Sequence, residues 1–173
     1  HHQSHFEQYG TIDGSVKING KDYAIRTSGL RDHTIGAKRD WNDFHRYVLH
    51  FIYLENGNAI TVGIISMPIV FTRLLIGFVT KMADKMNLPI DSCSIDLNEF
   101  DVHHPPDTYE FDFVAGNDSY RVQVKCHTKT KVLMGEQLEC SLFETWCDFK
   151  VNGVKGWGAV EWQYRNEIST TES

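Results

Sequence analysis

Tyr109-Glu110-Phe111-Asp112-Phe113-Val114-Ala115, then Gly116-Asn117-Asp118, then Ser119-Tyr120-Arg121-Val122-Gln123-Val124-Lys125 is the stretch that decides the fold. Tyr109, Phe111 and Phe113 alternate with Glu110 and Asp112, and Tyr120, Val122 and Val124 alternate with Arg121, Gln123 and Lys125. A period of two gives each run one buried and one wet face, which is the pattern of a half-buried strand. The Gly-Asn-Asp between the runs turns the chain back on itself.

The same grammar repeats outward. Asn19-Gly20 separates Val16-Lys17-Ile18 from Lys21–Ile25, and Asn152-Gly153 separates Cys147–Val151 from Gly156–Trp162. Asn-Gly tolerates the two positive φ angles of a type I′ hairpin turn. Asn56-Gly57-Asn58 makes a further break before Ala59–Met67. Regular spacing of this kind predicts an all-β, antiparallel lipocalin-like barrel or curved sandwich of about ten strands with little helix. Only Lys81–Asn87 reads as helical. One β domain is expected over residues 1–167, followed by a polar tail, Ile168–Ser173. The run Trp41–Glu55 is apolar on both faces, Tyr47, Leu49, Phe51 and Tyr53 on one and Val48, His50, Ile52 and Leu54 on the other, so both sides are expected to be covered.

The net charge of -6 has no basic stripe to offset it, which argues against a nucleic-acid partner and against an anionic membrane surface. The longest apolar stretch, Ala59–Thr80, is broken by Gly63, Pro68 and Arg73 and reads as two strands rather than a membrane span. The four cysteines, Cys93, Cys126, Cys140 and Cys147, contain no CxxC pair; they are either two disulfides in one of three pairings or buried thiols. The sequence begins at His1 without a hydrophobic leader, and Asn117-Asp118-Ser119 is a glycosylation sequon with Asn117 in a turn. A processed secreted protein fits both; a fragment of a longer cytoplasmic protein is the alternative.

Residues able to carry chemistry are few. Gly29-Leu30-Arg31-Asp32-His33 is the densest polar cluster, and Asp32 beside His33 could hold a proton near neutral pH, with Glu7 as a further donor. As a structural group, Arg31, Asp32, Arg39 and Trp41 are expected to form one polar-aromatic cluster at a barrel end. His5 and Glu7 share a strand face, as do Asp43 and His45, yet no HExxH or compact triad appears, so no metal site is expected. Phosphate loops and the GxSxG elbow are absent.

His5-Phe6-Glu7-Gln8, Gly29-Leu30-Arg31-Asp32-His33, Gly36 with Arg39-Asp40-Trp41, Phe149–Gly153 and Gly156–Glu161 together resemble the lipocalin-like family of carotenoid hydratase-related proteins, most closely the β domain of animal phosphoenolpyruvate synthase-like proteins. No phosphotransferase domain is present, so that activity is not implied. The resemblance implies a cavity lined by aromatic and aliphatic side chains, with carotenoids, isoprenoids or lipids as the ligand class. A carrier of an apolar small molecule is therefore the expected function, with a carotenoid or similar ligand as the one candidate cofactor. The lining is expected from His45, Tyr47, Leu49, Phe51, Tyr53, Phe111 and Phe113. The alternatives are a hydratase or isomerase acting on an unsaturated apolar substrate, using Glu7, Asp32 and His33, and a structural subunit. A homo- or hetero-oligomer would cover the second apolar face of the Trp41–Glu55 run.

Overall fold

The computed structural model describes residues 4–36, 40–100 and 104–166. The chain divides into two compact units, residues 1–39 and 40–173. Among the described residues there is no α-helix, and hence none long and apolar enough to cross a membrane.

The first unit is a hairpin of β1 (Ser4–Ile18) and β2 (Lys21–Ile35). Asn19 and Gly20 have φ of 50° and 79°, the left-handed pair that a two-residue turn of matching twist requires. The turn fixes the register over the full length of the strands, from Ile18 opposite Lys21 to Ser4 opposite Ile35. Glu7 thereby faces Asp32, and Phe6 faces His33.

The second unit is a closed antiparallel barrel of β3 (Arg46–Leu54), β4 (Ala59–Met67), β5 (Phe71–Lys81), β6 (Met86–Cys93), β7 (Thr108–Ala115), β8 (Asp118–Met134), β9 (Cys140–Val151) and β10 (Val154–Arg165), with β10 pairing back onto β3. Asn152 and Gly153, with φ of 47° and 87°, close the β9–β10 turn as the sequence predicts. Asn117 lies exposed between β7 and β8. The inner faces of all the strands meet in one apolar cluster that includes Ile52, Ile60, Phe113, Val122, Phe149 and Trp162.

Two sequence expectations fail locally. Lys81–Asn87 is not helical: residues 82–85 form a turn, Lys85 takes a φ of 51°, and β6 starts at Met86. Seven residues are too few to sustain a helix whose first turn costs more than it returns. The strand expected from Trp41 begins only at Arg46, because Trp41–Asp43 is a 3₁₀ turn. The Asp40 carboxylate caps it by accepting from the Asn42 N–H at 2.9 Å.

Candidate functional site

The barrel interior is rich in aromatic rings and holds a buried polar pair, His50 and Tyr109. β3 turns Val48, His50, Ile52 and Leu54 inward, and β7 turns Tyr109, Phe111 and Phe113 inward. His50 is fully buried. Its Nδ1 lies 3.0 Å from the Val62 carbonyl oxygen, and its Nε2 lies 2.7 Å from the Tyr109 hydroxyl. A carbonyl only accepts, so Nδ1 carries the proton and Nε2 accepts from the phenol. Burial drives the imidazole pKa down to about 4, with the Val62 bond opposing it. Burial also holds the Tyr109 phenol well above its ordinary range. Both groups are neutral at pH 7.

Around this pair the rings interlock. Phe111 sits 4.6 Å from His50, and Trp162 sits 5.6 Å from Tyr109 in an edge-on arrangement. The Trp162 Nε1–H is buried without a hydrogen-bond partner. Leaving such a donor unpaired costs about 1–3 kcal/mol.

One end of the barrel is plugged by residues 94–100, which follow β6. Ile95 and Leu97 enter the core, and Phe100 packs 5.0 Å from Trp162 and 5.7 Å from Tyr109. Asp96 caps the 3₁₀ turn Leu97–Glu99. Two arginines hold the plug by its backbone: Arg46 donates to the Leu97 carbonyl at 2.7 Å, and Arg73 donates to the Cys93 and Ile95 carbonyls at 2.6 and 3.3 Å. A cleft of about 400 Å³ lies beside the plug and is lined by His45, Arg46, Arg73 and Asp96, among others. Burial, then Arg46 and Arg165, lower the His45 pKa.

A second group of titratable side chains lies on the hairpin. His5 Nε2 is 3.2 Å from the Glu7 carboxylate, and its Nδ1 is 2.8 Å from the Thr34 hydroxyl and 3.5 Å from Asp32. The donor atoms of His5, Glu7 and Asp32 all lie within 4.8 Å of one another. An imidazole and two carboxylates can hold a divalent cation, and the same atoms pair with each other when no cation intervenes.

Residues 1–166 match the family described as Domain of unknown function (DUF7064). The chain belongs to that family. No curated protein matches it. Among the solved structures that share the fold are two of about twice this chain's length. One is kievitone hydratase from Nectria haematococca, at 17% identity and a TM-score of 0.61, with 92% of this chain and 53% of that one covered. The other is an AttH-like protein from Nitrosomonas europaea, at 13% identity and a TM-score of 0.65, with 92% and 51% covered. The DUF7064 chain thus spans about half the length of each. These matches support the lipocalin-like fold and do not extend to phosphoenolpyruvate synthase-like proteins.

The residues singled out from the DUF7064 sequence fall in several places. Phe111 and Phe113 point into the barrel and are buried in its core. Tyr47, Leu49, Phe51 and Tyr53 do not: the opposite face of β3 turns inward, and these four lie on the outer face. There Tyr47 donates to Glu161 at 3.4 Å and Tyr53 stacks on Trp157. With both faces apolar, alternation could not say which one was inside. Asp32 and His33 are not a pair either, because neighbouring strand residues point to opposite faces. His33 lies with Phe6 and Arg31, and Asp32 lies with Glu7 and His5. Arg31 and Asp32 are parted for the same reason, which breaks the expected four-residue cluster; Arg39 lies outside the described residues. The Glu7–Asp32 approach was available in the sequence, since counting outward from Asn19–Gly20 sets one opposite the other. Nothing local marks His50, Tyr109 or the plug.

Proposed function

We propose that the DUF7064 barrel binds a small apolar molecule carrying a hydrogen-bond acceptor, deep in the barrel beside Trp162 and Tyr109. The observation that carries this reading is the buried, unpartnered Trp162 Nε1–H among aromatic rings. A pocket of this kind is mostly apolar, with a few fixed polar groups to orient its ligand. Phe100 rests directly on Tyr109 and Trp162, so a ligand reaching them from that end would have to displace it. Binding suits the interior better than proton transfer does. A phenol held above its ordinary range is a poor acid, and an imidazole with a pKa of about 4 is a poor base at pH 7.

Retinol is a suitable probe, since it joins a long apolar skeleton to one hydroxyl. With Trp41, Trp146 and Trp157 replaced by Phe, Trp162 emission should fall saturably as retinol is added. The Trp162→Phe variant, followed by retinol's own fluorescence, should bind about five- to tenfold more weakly for the loss of one hydrogen bond. A linear, unsaturable loss of emission would end this reading.

A hydratase is the second reading, favoured by the meeting of His5, Glu7 and Asp32 and by the fold shared with kievitone hydratase. A carboxylic acid can protonate a carbon–carbon double bond, and an adjacent imidazole can take a proton from the incoming water. Incubation with kievitone in ¹⁸O-labelled water, read by mass spectrometry, tests it. Addition of labelled water that disappears in Glu7→Gln and Asp32→Asn supports it, and unchanged substrate removes it.

A further inference from the structure

We propose that Cys126 and Cys147 are a dithiol that a peroxide oxidises to a disulfide across β8 and β9. Their residues face each other in the β8–β9 register, and their sulfurs lie 2.8 Å apart. Both are free thiols in the structure. Only a small movement separates this arrangement from a bond of about 2.05 Å. The other two cysteines have no such neighbour in register: Cys93 faces Phe113, and Cys140 faces Met134 and Arg165. Of the four cysteines, only Cys126 and Cys147 are brought together in register, so a single bridge rather than two is expected.

The two sulfurs are not equivalent. The Cys147 S–H donates to Cys126, which lowers the Cys126 pKa; Lys129 helps in the same direction. The same bond, together with burial, raises Cys147. Cys126 is 9% exposed and Cys147 is 3% exposed, so Cys126 is the less deeply buried residue of the two. A thiolate is the nucleophile in this chemistry.

The steps balance. The Cys126 thiolate attacks one peroxide oxygen, the O–O bond breaks, and hydroxide leaves while Cys126 becomes a sulfenic acid. The Cys147 sulfur then attacks the Cys126 sulfur, the S–O bond breaks, and the thiol proton departs with the hydroxyl as water. Two thiols lose two electrons in all, and the peroxide is reduced to two waters. The new bond ties β8 to β9 where a bulge after Cys126 interrupts their ladder.

The test is intact-mass and thiol-alkylation analysis of the chain with Cys93→Ser and Cys140→Ser, reduced and then treated with one equivalent of hydrogen peroxide. The expected product is two hydrogen masses lighter and has lost both alkylatable thiols. Adding Cys147→Ser should stop Cys126 at a sulfenic acid that dimedone traps. Adding Cys126→Ser instead should slow oxidation of Cys147 at least tenfold. Chymotryptic peptide mapping of the wild-type chain, which separates Cys140 from Cys147 by cleavage between them, repeats the experiment without relying on the double variant. Retention of both thiols, further oxidation of Cys126 without a cross-link, or a cross-link between separate chains would each overturn the proposal.

Discussion

His50 is neutral in the folded barrel because water has been stripped from it and both ring nitrogens are already in use. Its folded pKa of about 4 lies below the 6.5 of an unfolded histidine. Below pH 6.5 the unfolded chain therefore binds a proton that the folded chain refuses. The stability contribution is complete above pH 6.5, falls between 6.5 and 4, and levels off below that, for a total of about 3 kcal/mol. Urea midpoints measured across this window should show the decline. His50→Gln should flatten it, since an amide can still donate to Val62 and accept from Tyr109 but does not titrate. An equal decline in the variant would assign the acid sensitivity elsewhere. Neither partner of His50 is visible in the sequence, because Tyr109 lies 59 residues away and is brought in by barrel closure. The Glu7–Asp32 approach differs in kind, being fixed by a turn within one hairpin.

At the level of elements, the two Asn-Gly turns have the same chemistry and different duties. Asn19 and Asn152 share the left-handed conformation, which costs an alanine about 1–2 kcal/mol. Asn152 also spans to the neighbouring hairpin: its carboxamide oxygen accepts from the Arg121 N–H, and its nitrogen donates to the Ser119 carbonyl, each at 2.8 Å. Asn19→Ala should therefore cost about 1 kcal/mol and Asn152→Ala about 2–3 kcal/mol, read from denaturant midpoints. Equal losses would mean that the bridge to Ser119 and Arg121 adds nothing. The turns and strands were legible because a residue's tolerance of positive φ is a local property. The plug from Ser94 to Phe100 was not, because its placement rests on arginines 51 and 22 residues distant, Arg46 reaching Leu97 and Arg73 reaching Ile95. Nor was the inward face of β3, where chain chemistry is the same on both sides.

For the whole molecule, the barrel owns its core: every residue of the main apolar cluster belongs to residues 40–173. A chain beginning at Asp40 should keep a β-type circular dichroism spectrum and a single cooperative thermal transition. The isolated hairpin should be largely unstructured in water, as two-stranded sheets generally are. A shortened chain that melts without cooperativity would place part of the barrel's stability in residues 1–39. The closure that gives the barrel its core has a further effect. In the closed order, β10, β3, β4 and β9 have partners on both sides and offer little open backbone to a foreign chain, whereas residues 71–77 of β5, 108–111 of β7 and 127–134 of β8 are paired on one side only. Within their own sheet β1 and β2 each have one neighbour, and each is 15 residues long. Resistance to edge-to-edge aggregation must there come from side chains instead. Asp13 opposite Arg26 and Lys17 opposite Asp22 supply charge along the hairpin, so neutralising those four residues should cost this protein its solubility before it costs the barrel any stability.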